Sequence, residues 1–265
     1  MFLTDKEKKI TNNYLKNGYV IHNIENLDSL NWIRDFFFKI VLKNLPKSKK
    51  EKTGKILDNI HKYIKISDLN KFRLNVFDEI NSNNKFRENF YKISKSLVDV
   101  IVGNEIAMQL RVNLSIQLPN DDSSLLPIHA DTWSGVSPFE TVIWLPLVDC
   151  FKTKSMYLLP PNKSKKLKDL FLNKKIKTSE DVFERVKKDL IWLDVKYGQV
   201  VIFDQSLPHG NRINKENETR WSMNCRFKSL YSPYSDKKLG EYFHPITLRV
   251  ASKIGMQFES PKTDD

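Results

Sequence analysis

The stretch Gln109–Pro119 reads QLRVNLSIQLP and alternates without a break. Leu110, Val112, Leu114, Ile116 and Leu118 form one row; Gln109, Arg111, Asn113, Ser115 and Gln117 form the other. Successive side chains of a β-strand point to opposite faces, so the stretch predicts a strand with one apolar and one polar face. The polar face looks either at solvent or into the polar interior of a site. The two-residue period persists beyond it. Strands are expected at 106–118, 140–147, 155–159, 190–196, 199–204 and 219–228, with a helical insert near 162–188.

Upstream the period is helical. Thr4 caps a helix through DKEKKITNNYLKN, and Gly18 stands just past its end. SLNWIRDFFFKIVLKNL carries apolar residues at helical spacing and stops at Pro46; KSKKEKTGK reads as a charged loop. Two more helices are expected in SDLNKFRLNVFDEIN and NKFRENFYKISKSLVDVIVG, the second closed by Gly103. Their stripes, such as Phe72, Val76 and Ile80, read as core. Helices followed by many short strands imply a mainly β sandwich or barrel with helices packed outside it. The expected organisation is one domain over 1–265, with a helical buttress over 1–104 and a β core over 105–250.

Bulk properties exclude several classes. No apolar run approaches the ~18 residues of a membrane span. The start, MFLTDKEKKI, lacks the pattern of a signal peptide. The two cysteines, Cys150 and Cys225, make neither a disulfide framework nor a zinc spacing, which suits a cytoplasmic protein. The net charge of +12 comes mostly from lysine, spread along the chain. Base and phosphate readers favour the planar fork of arginine, so nucleic acid is not expected as a partner. A small anionic substrate remains compatible.

Five histidines occur, and only His129 begins a His-x-Asp triplet, His129-Ala130-Asp131. Such a triplet alone is common by chance. Its context is not: it follows the alternating strand, and a later strand, YGQVVIFD, runs into QSLPHGNRIN and puts His209 near another strand end. Two histidines and one carboxylate from neighbouring strands can hold one face of a metal ion, leaving three positions open, which suits Fe(II) that binds a cosubstrate and O₂. Arg220 lies 11 residues after His209 on TRWSMNCRF. There Arg220, Ser222, Asn224 and Arg226 share one face, and Trp221, Met223, Cys225 and Phe227 the other. If the polar row faces inward, Arg220 and Ser222 make a socket for a carboxylate; if outward, they are surface residues.

The His-x-Asp triplet, the distal His and the Arg-x-Ser 11 residues on resemble Fe(II)/2-oxoglutarate-dependent dioxygenases. NGYVIHNI, GQVVIFDQSLPHGNRIN and TRWSMNCRF are similar to the phytanoyl-CoA dioxygenase branch. HADTWSGVSPFETVIWLPLVDC and FHPITLRVASKIG resemble a bacterial subgroup of sporadic carbohydrate biosynthesis clusters. The resemblance implies a double-stranded β-helix (a cupin-like jelly roll) with the N-terminal helices packed on one sheet. It implies that His129, Asp131 and His209 bind Fe(II) and that Arg220 and Ser222 hold the distal carboxylate of 2-oxoglutarate. It also implies that Asn113 and Gln117, four apart on the strand before His-x-Asp, lie near cosubstrate or iron. The implied reaction hydroxylates a C–H bond of a small molecule, a sugar, nucleotide sugar or glycoconjugate precursor, using O₂ and converting 2-oxoglutarate to succinate and CO₂. The same chemistry on another metabolite or a carrier-linked acyl chain, a non-catalytic jelly-roll binding protein and a cupin-like metal isomerase are the competing readings.

Trp133 is expected at the site mouth, stacking on a sugar ring or simply packing. Arg226 either meets an anionic substrate or forms an ion pair. Asn211 is a candidate contact to cosubstrate or substrate, and Asn214 a turn former. His244 either reaches the site or serves the structure. Lys163, Lys165 and Lys166 read as a solvated run.

Overall fold

Thr4 caps the first helix as expected. Its hydroxyl accepts from the Glu7 amide, and the Glu7 carboxylate accepts from the Thr4 amide. This helix, α1 (Asp5–Asn17), ends at Gly18, whose φ of 75° is the left-handed conformation glycine adopts without strain. The chain passes into β1 (Tyr19–Asn23), a strand the sequence pattern did not reveal, and then α2 (Leu27–Asn44). The computed structural model describes residues 2–45, 55–172 and 177–260. Pro46, most of the KSKKEKTGK loop, the Lys166 side chain and the last five residues of the tail lie outside that set. Helices α3 (Ile66–Ser82) and α4 (Asn84–Ile101) follow, separated by Asn83, whose side chain accepts from the Lys85 amide and caps α4.

The alternating stretch forms two strands, β2 (Ile106–Gln109) and β3 (Asn113–Gln117), where one was expected. Then come β4 (Glu140–Pro146), β5 (Tyr157–Leu158), α5 (Pro161–Leu172), α6 (Ser179–Val186), β6 (Ile191–Trp192), β7 (Gln199–Asp204), β8 (His209–Gly210), β9 (Arg220–Ser229), β10 (Phe243–Thr247) and α7 (Val250–Met256). Among the described residues, seven strands build one antiparallel sheet in the order β1-β7-β4-β9-β2-β10, with β3 also paired to β9. A second sheet has the order β6-β5-β8.

The break between β2 and β3 has a visible cause. Met108 pairs with Phe227 and Asn113 with Asn224, so residues 109–112 face only 225 and 226 on β9. The excess bulges outward. Asn81 of α3 pins it, accepting from the Val112 amide (2.8 Å) and donating to the Val112 carbonyl (3.1 Å). An excess of two residues preserves the alternation, so both rows keep their faces.

The apolar row of β9 packs on the helices. Trp221 is fully buried and meets Phe37 of α2 and Phe72 of α3 edge-on, with ring centroids 5.9 and 6.0 Å apart. Its indole N–H donates to the Leu57 carbonyl (2.9 Å). Truncating such a buried tryptophan costs about 3–5 kcal/mol. The opposite face of the large sheet, with residues of the small sheet, lines a cavity. Cys150 and Cys225 are buried free thiols, and no helix among the described residues is long and apolar enough to cross a membrane.

Candidate metal centre and cosubstrate cavity

His129 and His209 face each other across an antiparallel bridge. The His129 amide donates to the His209 carbonyl (3.0 Å), and the His209 amide to the His129 carbonyl (2.8 Å). Their rings lie 4.4 Å apart, centroid to centroid. Each Nδ1 lies on a backbone carbonyl two residues upstream, Pro127 (2.8 Å) and Leu207 (2.9 Å). Both Nδ1 atoms are therefore the protonated ones, and both Nε2 atoms keep a free lone pair. The Asp131 amide donates to the Gln205 carbonyl (3.0 Å), which brings the carboxylate in beside them. His129 Nε2 is 3.7 Å from Asp131 Oδ1. Ligand atoms of all three residues lie within 4.8 Å of one another, a set that can hold a metal ion.

Electrostatics suit a cation. Burial, and then the neighbouring His129, pushes His209 down to about 4, so its imidazole is neutral near pH ~7. Burial pulls the Asp131 carboxyl upward, but the Arg226 guanidinium and then the His209 and His129 imidazoles outweigh it and hold it below the usual carboxylate value. Two imidazole nitrogens and one carboxylate held ionised are a fitting donor set for Fe(II).

The triad opens into a cavity of about 440 Å³. Its polar floor comes from β3 and β9: Asn113, Ser115, Arg220, Ser222, Asn224 and Arg226. Asn113 and Ser115 of the first polar row and all four polar residues of the second therefore face the interior. Val142, Trp144, Met156 and Phe203 supply an apolar wall, and Ser123 to Leu126 with Arg73 contribute further lining.

Arg220 is the unusual member of the floor. It is buried, and no carboxylate among the described residues pairs with it. One Nη donates to Ser115 Oγ (2.9 Å), the other to the Ser155 carbonyl (3.3 Å), and Nε has no partner. Burial pushes the guanidinium down from an ordinary 12.5 to about 10. A buried cation without a counter-ion is costly. A carboxylate entering the cavity would offset that cost, and Ser222 stands two residues away on the same face.

The remaining expected residues separate. Asn113 lines the cavity and donates to Asn224 Oδ1 (2.9 Å). Gln117 shares the face of Asn113 but not the cavity: its amide donates to the Arg212 carbonyl (2.7 Å). Gln109 is buried beside Arg226, and Arg111 sits exposed on the bulge. Trp133, in the short turn that follows Asp131, is 45% exposed and is not among the residues lining the cavity. Asn211 lines the cavity with both ends of its amide engaged, accepting from the Leu126 amide (2.7 Å) and donating to the Ser124 carbonyl (3.2 Å). It fixes the rim. Arg226 forms the ion pair that was one of its two expected roles: Nη2 lies 2.7 Å from Asp131 Oδ2. Asn214 shapes a turn, His244 is exposed on β10, and Lys163 pairs with Asp189.

Sequence reasoning missed Ser115, Ser155, Gln205 and Tyr242. Ser115 stood in the polar row and was legible there. Ser155, Gln205 and Tyr242 carry no motif; only the fold brings them to the site.

No family model and no curated protein matches the sequence. Solved structures do match the fold. HygX from Streptomyces hygroscopicus, solved with nickel and 2-oxoglutarate bound, aligns over 89% of this chain and 90% of its own, at 11% identity and a TM-score of 0.51. AviO1 from Streptomyces viridochromogenes Tue57 aligns over 88% of this chain and 99% of its own, at 12% identity and a TM-score of 0.56. EctD from S. alaskensis, solved with bound Fe, aligns over 88% and 79%, at 12% identity and a TM-score of 0.50. At these identities the likeness is one of fold.

Proposed function

We propose that this chain is an Fe(II)- and 2-oxoglutarate-dependent oxygenase, a single domain built on a double-stranded β-helix. The observation that carries the reading is the conjunction in one cavity of a His129/Asp131/His209 donor set and a buried, unpaired Arg220. A metal site alone fits many reactions. A metal site facing a buried guanidinium fits a cosubstrate that chelates at one end and carries a carboxylate at the other.

His129 Nε2, Asp131 and His209 Nε2 would hold Fe(II) and leave three positions open. When bound, the iron couples oxidative decarboxylation of 2-oxoglutarate by O₂ to hydroxylation of a substrate C–H bond, with succinate and CO₂ as the other products. Arg220 and Ser222 grip the far carboxylate of the cosubstrate, and Ser115 orients the arginine. On the floor, Asn113 donates to Asn224 Oδ1 and accepts from the Gln109 amide (3.4 Å), which fixes both amides beside the cavity. Val142, Trp144 and Phe203 exclude water from the reacting side. The substrate is a small molecule, and a sugar, nucleotide sugar or glycoconjugate precursor is our reading of its class. That class rests on the resemblance of the HADTWSGVSPFETVIWLPLVDC and FHPITLRVASKIG stretches alone.

Succinate release from 2-oxoglutarate, measured with and without Fe(II) and with candidate sugars, tests the proposal. Iron-dependent succinate formation that a substrate accelerates is the expected result. A protein that binds metal but neither binds nor consumes 2-oxoglutarate would be a metal isomerase or a binding protein instead.

A further inference from the structure

Arg226 lines the same cavity as Arg220, yet its hydrogen-bonding groups are already engaged. Nη2 donates to Asp131 Oδ2 (2.7 Å), Nη1 to the Tyr242 hydroxyl (3.0 Å) and Nε to Gln205 Oε1 (3.3 Å). Its backbone amide donates to Gln109 Oε1 (3.2 Å), and Glu140 Oε2 lies 3.9 Å from Nε. Gln205 acts twice: its carbonyl accepts from the Asp131 amide, and its side chain holds the arginine that holds the Asp131 carboxylate. Four separate segments thus converge on one guanidinium, and its strongest bond goes to the one carboxylate of the metal triad.

That bond divides the carboxylate. Oδ2 faces Arg226, while Oδ1 faces His129. A carboxylate with both oxygens free can bind a metal through one or both. Binding through both would occupy one of the three positions that cosubstrate and O₂ need. A short charge-assisted bond removes one oxygen from that competition. We propose that Arg226 is a positioning residue that reserves Asp131 Oδ1 for the metal and keeps Asp131 a one-oxygen ligand. The inference rests on the iron site proposed above, and it assigns Arg226 to the ligand set, leaving Arg220 to the cosubstrate.

Co(II) titrated into the metal-free full chain tests it, read as affinity and as the visible spectrum of the bound ion. Wild type, His209→Ala, Arg226→Gln, Arg226→Lys and Tyr242→Phe form the set. Arg226→Gln is expected to bind Co(II) about 10- to 100-fold more weakly, as loss of a group that orients a metal ligand does. Its spectrum should also change, because Asp131 is released to use both oxygens. Arg226→Lys, which keeps the charge, should recover part of the affinity. A merely structural role would lower the melting temperature and leave the spectrum alone. Arg226→Gln with wild-type affinity and spectrum, beside a His209→Ala variant that binds no Co(II), overturns the inference and spares the metal site. Wild type that binds no better than His209→Ala overturns both. Should Arg226→Gln not fold, Tyr242→Phe decides: it removes one hydrogen bond from Arg226 without touching Asp131. An affinity loss of about two- to tenfold supports the inference, and no loss overturns it.

Discussion

Arg220→Met separates function from stability. In the metal-free protein the guanidinium is a buried cation that no carboxylate among the described residues neutralises. Its shift from an ordinary 12.5 to about 10 corresponds to about 3 kcal/mol against the charged form. Methionine of similar length fills the space without that cost. It forfeits two hydrogen bonds, to Ser115 and to the Ser155 carbonyl, at about 1 kcal/mol each. The net change in stability is therefore near zero, within about 1 kcal/mol, and leans toward stabilisation. Binding of 2-oxoglutarate behaves differently. Removing one partner of a buried, hydrogen-bonded charge pair costs about 2–5 kcal/mol, or roughly 30- to 4,000-fold in Kd. Urea unfolding of the metal-free variant gives the first quantity. Anaerobic calorimetry of 2-oxoglutarate against the Co(II)-loaded protein gives the second. A variant that keeps 2-oxoglutarate affinity within about threefold of wild type, or that loses several kcal/mol of stability, refutes the reasoning.

Three further outcomes are expected. A Cβ at Gly210 would lie 2.7 Å from the Leu126 carbonyl oxygen and 2.8 Å from the Tyr157 hydroxyl. Gly210→Ala therefore displaces the rim beside His209 at a cost of about 1–3 kcal/mol, which thermal unfolding and the 2-oxoglutarate affinity both report. Trp221→Ala, on the helix-facing side of β9, loses about 3–5 kcal/mol of stability, and urea unfolding measures it; a loss below ~1 kcal/mol would contradict the burial argument. The metal-free protein weakens in acid through His209, whose folded value of about 4 lies below the ordinary 6.5. The folded state binds fewer protons there, so this contribution is complete above ~6.5 and is lost as the pH falls toward ~4. At pH ~5 the loss is about 2 kcal/mol by linkage. His209→Gln should flatten that part of the profile, and an unchanged slope would assign it elsewhere.

Much of this arrangement was legible in the amino-acid order, because alternation is a local property. The rows Asn113/Ser115 and Arg220/Ser222/Asn224/Arg226 could be read directly, while their inward aim stayed open to the alternation and was implied only by the resemblance; the cavity lining shows it. The helices were legible from their caps, as Thr4 and Gly18 illustrate. Short elements were not. β1 and β8 hold five and two residues, and they exist through pairing with distant strands rather than through their own pattern. Strand parity fixes a face but not a position along it: Gln117 stands at the strand end opposite Arg220, where its amide donates to the Arg212 carbonyl. Arg226 was ambiguous for a related reason. Charge and face were visible, while the partner, Asp131, lay 95 residues away in the chain. Tyr242 and Gln205 could be found only from coordinates, since a hydroxyl or an amide in a loop carries no spacing signal.

The most direct test is a crystal structure of the chain with Mn(II) and 2-oxoglutarate, read from the anomalous map. One ion bonded to His129 Nε2, Asp131 Oδ1 and His209 Nε2, with the far carboxylate of the cosubstrate on Arg220, is the predicted result. An ion bound elsewhere, or a dicarboxylate that leaves Arg220 untouched, would contradict the reading of this cavity as an oxygenase site.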